Sequence, residues 1–371
     1  MSESAVIKYD AILFLSFGGP EGMSEVLPFL ENVLRGRNVP PERMKAVARH
    51  YELFGGVSPI NEQNRQLITA LKTLLEEQGP HLPVYFGNRN WHPLLADTLR
   101  RMREDGIRNA LAFVTSAYSS YSGCRQYRED IARALEEVGD GAPKIDKLRV
   151  FYNHPGFIAP NIENLSSSLS KISPERHRTT EIAFTAHSIP LSMAAGCSYK
   201  EQLEETCRLI IAGVFIAGVS DAAKHLRWNL VFQSRSGPTT QPWLEPDIYD
   251  HLVHLKESGT TDVVVAPIGF ISDHMEVLYD LDVRARQQSE EMGLNMERMA
   301  TVGTHPKFVR MIRDLIIERT SEHPLRLFLG GRGPNHDVCS QSCCLLGAPF
   351  TIATMRSVET SASRATLQPP K

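Results

Sequence analysis

The residues best equipped for chemistry fall in two places. The first is a pair of short segments, Phe184-Thr185-Ala186-His187-Ser188-Ile189-Pro190 and Pro267-Ile268-Gly269-Phe270-Ile271-Ser272-Asp273-His274-Met275-Glu276, each closing an apolar run. An imidazole such as His187 can move a proton near neutral pH or bind a metal, and a carboxylate such as Glu276 can ligate a cation or relay protons. Neither is decisive alone. A single histidine is more often a hydrogen-bonded core residue, and Asp273, Glu276, Asp280 and Asp282 also suit the exposed start of a helix, which the macrodipole favours. The second place lies near the C-terminus, where Cys339, Cys343 and Cys344 fall within six residues of one another. Six cysteines in 371 residues are too few for a disulfide scaffold, so a reducing compartment would keep them as thiols or metal ligands.

Elements of a particular kind must position these groups. Apolar, β-branched runs occur at Ala11 to Phe17, Val84 to Phe86, Ala110 to Thr115, Leu148 to Tyr152, Ile182 to Thr185, Asn229 to Gln233 and Val263 to Ile268. Helical spacing appears over Glu25 to Leu34, Glu62 to Glu77, Pro93 to Glu104, Tyr127 to Glu137, Lys200 to Ile216, His274 to Met292 and Pro306 to Arg319. This alternation is that of βαβ units, and the fold class is α/β with parallel sheets. Ligands in such sheets bind beyond the C-terminal strand ends, so His187 and Glu276 could face one crevice. Ser272 or Asp273 is the natural N-cap of the following helix, which would set Glu276 and Asp280 one turn apart on one face. The strand and turn Ile12 to Pro20 rhyme with Ile182 to Pro190, as a weak duplication would. The expected organisation is an N-terminal unit over residues 1–145, a second over 146–330, and a cysteine-containing extension over 331–371 with a disordered tail beyond Phe350.

Composition excludes several classes. Apolar residues make up 42% of the chain, enough for two cores. With 40 Lys+Arg against 43 Asp+Glu, no net basic field exists to hold nucleic acid. The charge-free apolar stretch that could suggest a membrane, Leu209 to Ser220, has 12 residues; a spanning helix needs about 20. No secretory signal is evident at the N-terminus, so a cytoplasmic location is expected. After the first strand, Phe17-Gly18-Gly19-Pro20-Glu21-Gly22 has the wrong glycine spacing for a dinucleotide fingerprint, and Pro20 removes a donor where phosphate would want one. It reads as a tight strand-to-helix turn.

Six motifs in order carry a resemblance. They are Leu15-Ser16-Phe17-Gly18-Gly19-Pro20, Phe54-Gly55-Gly56-Val57-Ser58-Pro59-Ile60-Asn61, Tyr85-Phe86-Gly87-Asn88-Arg89-Asn90-Trp91, Ala186-His187-Ser188-Ile189-Pro190, Gln233-Ser234-Arg235-Ser236-Gly237-Pro238 and Ser272-Asp273-His274-Met275-Glu276. From about Asp10 to Leu327 the chain resembles ferrochelatases, most closely the actinobacterial-type coproporphyrin III ferrochelatases. The resemblance implies two similar Rossmann-like, chelatase-type domains with the active-site cleft between them. It implies insertion of Fe(II) into a porphyrin, with His187 and Glu276 as the metal-handling pair and His274 and Asp280 as a proton or metal relay. Arg284 stands at the next turn, where relatives often have another acid. Ser58 and Tyr127 match porphyrin-binding positions, and Phe17 matches the residue under the ring, where a phenylalanine cannot ligate iron. Arg35, Arg37 and Arg49 could meet propionates or be ordinary exposed charges, and Trp91 and Trp243 could be cleft walls or core.

Metallation replaces two pyrrole N–H protons by iron, so it calls for a base near neutral pKa beside a weak, open metal site. Many relatives also hold a [2Fe–2S] cluster. Here Cys339, Cys343 and Cys344 match its C-terminal ligands and Cys124 the distant one, with Cys197 as the alternative. A zinc site of His336, Cys339, Cys343 and Cys344, or free thiols, are the other readings. Coproporphyrin III is the expected substrate, with protoporphyrin IX, another tetrapyrrole chelatase activity and a non-catalytic heme or metal carrier as alternatives. Ferrous iron and porphyrin are the expected partners, with peripheral membrane contact or contact with other heme-pathway enzymes possible at the product stage.

Overall fold

Two four-stranded parallel sheets with the same strand order organise the chain in a computed structural model that describes residues 8–36, 39–217, 226–237 and 240–347. The first holds β1 (Ala11–Ser16), β2 (Val84–Asn88), β3 (Asn109–Val114) and β4 (Lys144–Lys147) in the order β2-β1-β3-β4. The second holds β5 (Thr180–His187), β6 (Arg227–Gln233), β7 (Asp262–Ala266) and β8 (Asn295–Arg298) in the order β6-β5-β7-β8. The rhyme between the halves is thus a repeated topology. Every residue of β1 and β7 is buried, because helices cover both faces of a parallel sheet.

Edge strands depart from the pattern expected of the sequence. The strand expected at Leu148 to Tyr152 instead precedes it, as the polar β4, and β8 went unrecognised for the same reason: a strand paired on one side needs no continuous apolar run. Leu148 to Tyr152 is apolar because it enters the core between the sheets, where Phe151 stacks on Phe113 at 5.5 Å and meets Phe157 and Phe308 edge-on. Helices Pro41–Glu52, Pro155–Leu169 and Ile248–Glu257 also escaped the spacing argument. The second of these is buried by its neighbours on several sides and carries serines and asparagines, so no single apolar stripe marks it.

One apolar core joins the halves. Phe14 and Phe113 of the first sheet, Phe184 and Val264 of the second, and Phe157 and Phe308 of the intervening helices belong to it. Helix Pro306–Thr320, last of the described helices, packs on both Pro155–Leu169 and Ile60–Gln78 of the first half. A buried ion pair fastens it: Arg149 donates to both Glu318 carboxylate oxygens at 2.8 and 2.7 Å and to Leu327 O at 2.8 Å. The halves are therefore held in fixed relation, a precondition for any site built from both.

Removing one member of a buried pair strands the other charge. Glu318→Ala should lower the free energy of unfolding by about 3–5 kcal/mol, while the double change Arg149→Met with Glu318→Leu recovers most of it. Urea unfolding followed by far-UV circular dichroism measures this; equal losses in the single and double variants would show that the pair contributes only packing.

Candidate active site

The β5 strand ends on His187 and the turn after β7 leads to Glu276, so two parallel neighbours deliver an imidazole and a carboxylate from the same sheet edge. His187 Nε2 lies 3.5 Å from Glu276 Oε1, and the side chains retain 32% and 43% of their surface. The groups are paired yet open to solvent. His187 Nδ1 donates to Ser188 O, which can only accept, so a neutral imidazole presents its Nε2 lone pair toward Glu276. Tyr199 Oη donates to His187 O at 3.0 Å and steadies the strand end.

Enclosure works against the imidazolium, but the Glu276 carboxylate outweighs it and holds His187 up at about 9. Enclosure likewise works against the Glu276 carboxylate, and the facing His187 outweighs it and holds Glu276 down at about 2. Near neutral pH the two groups form an imidazolium–carboxylate pair. Its stabilisation is complete between the ordinary values of 4.5 and 6.5, fades as pH falls toward 2, and fades as pH rises toward 9.

The N-cap expectation is corrected. His274, not Ser272 or Asp273, caps the helix, with Nδ1 accepting from Glu276 N at 3.1 Å. Asp273 turns away to Arg298 at 3.0 Å and to Thr301. Burial keeps the His274 imidazole below its ordinary pKa, and its ring meets Phe270 edge-on at 4.6 Å. The helix expected over His274 to Met292 is in three parts: α-helical Met275–Val277, π-helical Leu278–Ala285 and α-helical Arg286–Glu291. A π-turn of this kind often marks a functional site. Asp280 is buried within it, and burial pushes its carboxyl up to about 6 despite a hydrogen bond from Ser234. Arg284 lies over the Tyr249 ring at 4.2 Å, so no acid continues the line.

The first half closes over this edge. Gln63 clasps the Asp273 backbone twice, donating to its carbonyl at 3.1 Å and accepting from its amide at 2.9 Å. Helix Pro41–Glu52 stacks His50 on Tyr279 at 3.8 Å, and Arg43 reaches Ser236 O. Phe17, at the end of β1, is 37% exposed and free to face a ligand. The turn beside it uses Gly18 at φ +84°, where a Cβ would sit 2.9 Å from Asn88 Cβ, so the tight-turn reading of that motif holds. Ser58 is buried behind Gly19. Tyr127 is buried as well, its ring 4.5 Å beneath the Arg89 guanidinium, which also pairs with Asp130. Arg35 bonds Asn32, Arg49 projects from the second helix, and Arg37 and Pro238 lie outside the described residues. Trp91 belongs to the apolar cluster that joins Phe29 and Tyr51 to Met275, and Trp243 packs on Gly237.

The cysteines converge although they are far apart in sequence. His336, Cys339 and Cys343 bring ligand atoms within 4.8 Å of one another, and Cys343 Sγ lies 3.6 Å from Cys344 Sγ. Cys124 hydrogen-bonds Cys339, which pulls the Cys339 thiol down to about 6. Arg125, next to Cys124, donates to the carbonyls of Gln341 and Cys343, and Asn153 donates to Leu329 O and Gly333 O. The segment through Cys344 is therefore pinned, and its cysteines are free thiols; the expected disordered tail beyond Phe350 lies outside the described residues. Cys197 is near but spends its thiol on Met193 O at 3.3 Å.

Comparison with known proteins gives this geometry its family: the ferrochelatase model matches residues 9–320. The chain belongs to the ferrochelatase family. It is 54% identical over 338 residues to a ferrochelatase of Rhodopirellula baltica, covering 91% of this chain and 93% of that one. It is 50% identical over 354 residues to a coproporphyrin III ferrochelatase of Streptomyces coelicolor, covering 92% and 94%. Among solved structures, the sirohydrochlorin chelatase SirB of Bacillus subtilis subspecies spizizenii has a TM-score of 0.46 at 10% identity, covering 84% of this chain and 96% of that one. As a ferrochelatase the protein is a porphyrin metal chelatase, and ferrous iron is its substrate metal. No described helix is long and apolar enough to cross a membrane.

Sequence reasoning missed Gln63, His50, Tyr279 and Arg125, which close the halves and pin the cysteines. Arg89 and Ser234 stood inside quoted motifs, without a role. Because Glu276 is what raises His187, Glu276→Gln should drop the His187 pKa from about 9 to its ordinary 6.5 or below. Nuclear magnetic resonance titration of the imidazole in the ligand-free protein checks this, and an unchanged value would dissolve the pair.

Proposed function

We propose that the protein inserts Fe(II) into coproporphyrin III to form coproheme, with His187 and Glu276 as the groups that meet the metal and the pyrrole protons. The supporting observation is the His187–Glu276 pair, 3.5 Å apart and open to solvent at the edge shared by both halves. Relatives at 44–50% identity that are named coproporphyrin III ferrochelatases support the choice of porphyrin. Glu276, ionised in the resting pair, offers the charge that attracts the cation. A cation at Glu276 removes the influence that holds the imidazolium proton, so His187 loses it and becomes a base for a pyrrole N–H. Two pyrrole protons leave as the iron, still ferrous, takes four pyrrole nitrogens. Asp280, at about 6, is suited to pass protons toward solvent. Phe17 supplies an apolar floor for the macrocycle; Ser58 and Tyr127, being buried, take part only where the bound porphyrin reaches past Phe17 and Arg89.

We also propose that Cys124, Cys339, Cys343 and Cys344 hold a [2Fe–2S] cluster. The residues fit: four thiols from two distant segments of the chain meet in one pinned pocket, and one of them is already disposed to ionise. Bound there, the cluster would supply a one-electron redox couple. Arg125 keeps the two cysteine-bearing segments together. A zinc ion on His336, Cys339 and Cys343 is the second reading, favoured by the 4.8 Å convergence of those three.

Four measurements test these proposals. Anaerobic assays with Fe(II) should show faster turnover of coproporphyrin III than of protoporphyrin IX, and the reverse order would reassign the substrate. His187→Ala should still bind porphyrin but lose metallation by about 10²–10⁴-fold, as expected for a lost general base. The KM for iron should fall as pH rises toward 9, because binding must expel the His187 proton. Anaerobic purification with absorption spectra and metal analysis decides the thiol site: iron and sulfide support the cluster, stoichiometric zinc the second reading, and a colourless, metal-free, active protein neither.

A further inference from the structure

Cys343 and Cys344 are consecutive residues, and in an extended run consecutive side chains point to opposite faces. Here a turn over residues 341–344 brings their sulfurs to 3.6 Å. Cys343 N donates to Ser340 O at 3.2 Å, and Cys344 takes φ +56°, the left-handed region that a non-glycine residue occupies only where its surroundings hold it there. Arg125 fastens the same turn from the first half, donating to the carbonyls of Gln341 and Cys343. A tight backbone and a distant guanidinium thus set the approach of the two sulfurs. The other thiols of the pocket are engaged, Cys339 with Cys124 and Cys197 with Met193 O at 3.3 Å. Accessibility also differs within the pair: Cys343 is half-buried and Cys344 is buried.

Adjacent Cα atoms stand about 3.8 Å apart across a trans peptide. An ordinary disulfide spans roughly 4.4–6.8 Å between its Cα atoms. A bond between neighbours is therefore strained, and strained disulfides are the readily reduced, regulatory kind. We propose that Cys343 and Cys344 are a thiol–disulfide exchange site that closes into a vicinal disulfide at the expense of a low-molecular-weight disulfide. The Cys343 sulfur, the more accessible of the two, attacks one sulfur of that disulfide. Its S–S bond breaks, and the departing thiolate takes the proton that Cys343 gives up. Cys344 then attacks the Cys343 sulfur of the mixed disulfide, and its proton leaves with the second small thiol. Two protein thiols are oxidised, and one small disulfide is reduced to two thiols. Closure consumes two of the four thiols proposed above for a cluster and one of the three ligands proposed for zinc, so the oxidised pocket takes up neither. That consequence rests on the reading of the pocket as a metal site; the exchange itself does not.

Mass spectrometry tests the exchange on the full chain, stripped of metal by a chelator under reducing conditions and then treated with oxidised glutathione. The protein should lose the mass of two hydrogens and retain no glutathione, and peptide mapping should place the link between Cys343 and Cys344. Reduced glutathione should reopen it, and Cys343→Ser should abolish the closure. A link between Cys124 and Cys339 instead, a glutathione adduct that persists on Cys343, an equal loss of hydrogens in Cys343→Ser, or a bond that resists reduced glutathione would overturn the proposal. Metal analysis separates the exchange from the reading beneath it. Reduced wild-type protein should bind iron with sulfide, or zinc, and the oxidised form should bind none until it is reduced. If the link forms and neither form binds metal, the metal-site reading falls and the exchange site stands. If the link forms and both forms bind metal equally, control of metal uptake is overturned.

Discussion

An imidazole facing a carboxylate at the shared edge of a sheet is the interaction on which the remaining structure bears. Held apart, His187 and Glu276 would be an ordinary surface base and an ordinary surface acid. At 3.5 Å each sets the other's protonation: the carboxylate keeps the imidazole protonated, and the imidazolium keeps the carboxylate ionised. Two facing side chains do not encase a cation. That suits an enzyme that must give the metal up, because a closed set of four protein ligands would hold iron against transfer.

Much of the fold serves to keep that spacing while leaving one face open. Parallel pairing of β5 with β7 puts the two segments side by side, and Gln233 fastens both. The first half supplies the opposing wall through the Gln63 clasp, the His50–Tyr279 stack and the apolar cluster around Trp91 and Met275. Continuous packing through Phe151, Phe157 and Phe308 fixes the relation between the sheets.

The thiol site is built on a different principle. Its thiols come from a π-turn in the first half and from the chain after the last described helix, two segments far apart in sequence. Arg125 and Asn153 already fasten that segment by hydrogen bonds to its carbonyls. The same turn touches the region after β5, with Ser122 near Met193 at 3.9 Å. The cysteine pocket is therefore continuous with the scaffold of the edge that carries His187 rather than an appendage.

Local pattern determined a good deal. Buried central strands need unbroken apolar runs, so β1, β3, β5 and β7 were legible, and with them the α/β class and the strand ends where His187 and Glu276 stand. Residue type restricted the chemistry: an imidazole, carboxylates and clustered thiols. Tertiary structure decided the rest, because it concerns distances between residues that sequence separates by tens or hundreds of positions. The edge strands β4 and β8 were hidden since a half-paired strand need not be apolar. The cap on His274, the π-turn and the burial of Tyr127 depend on neighbours that no periodicity encodes. The pKa of His187 is likewise a property of Glu276, 89 residues further along the chain, and became definite only when the fold closed the gap between them.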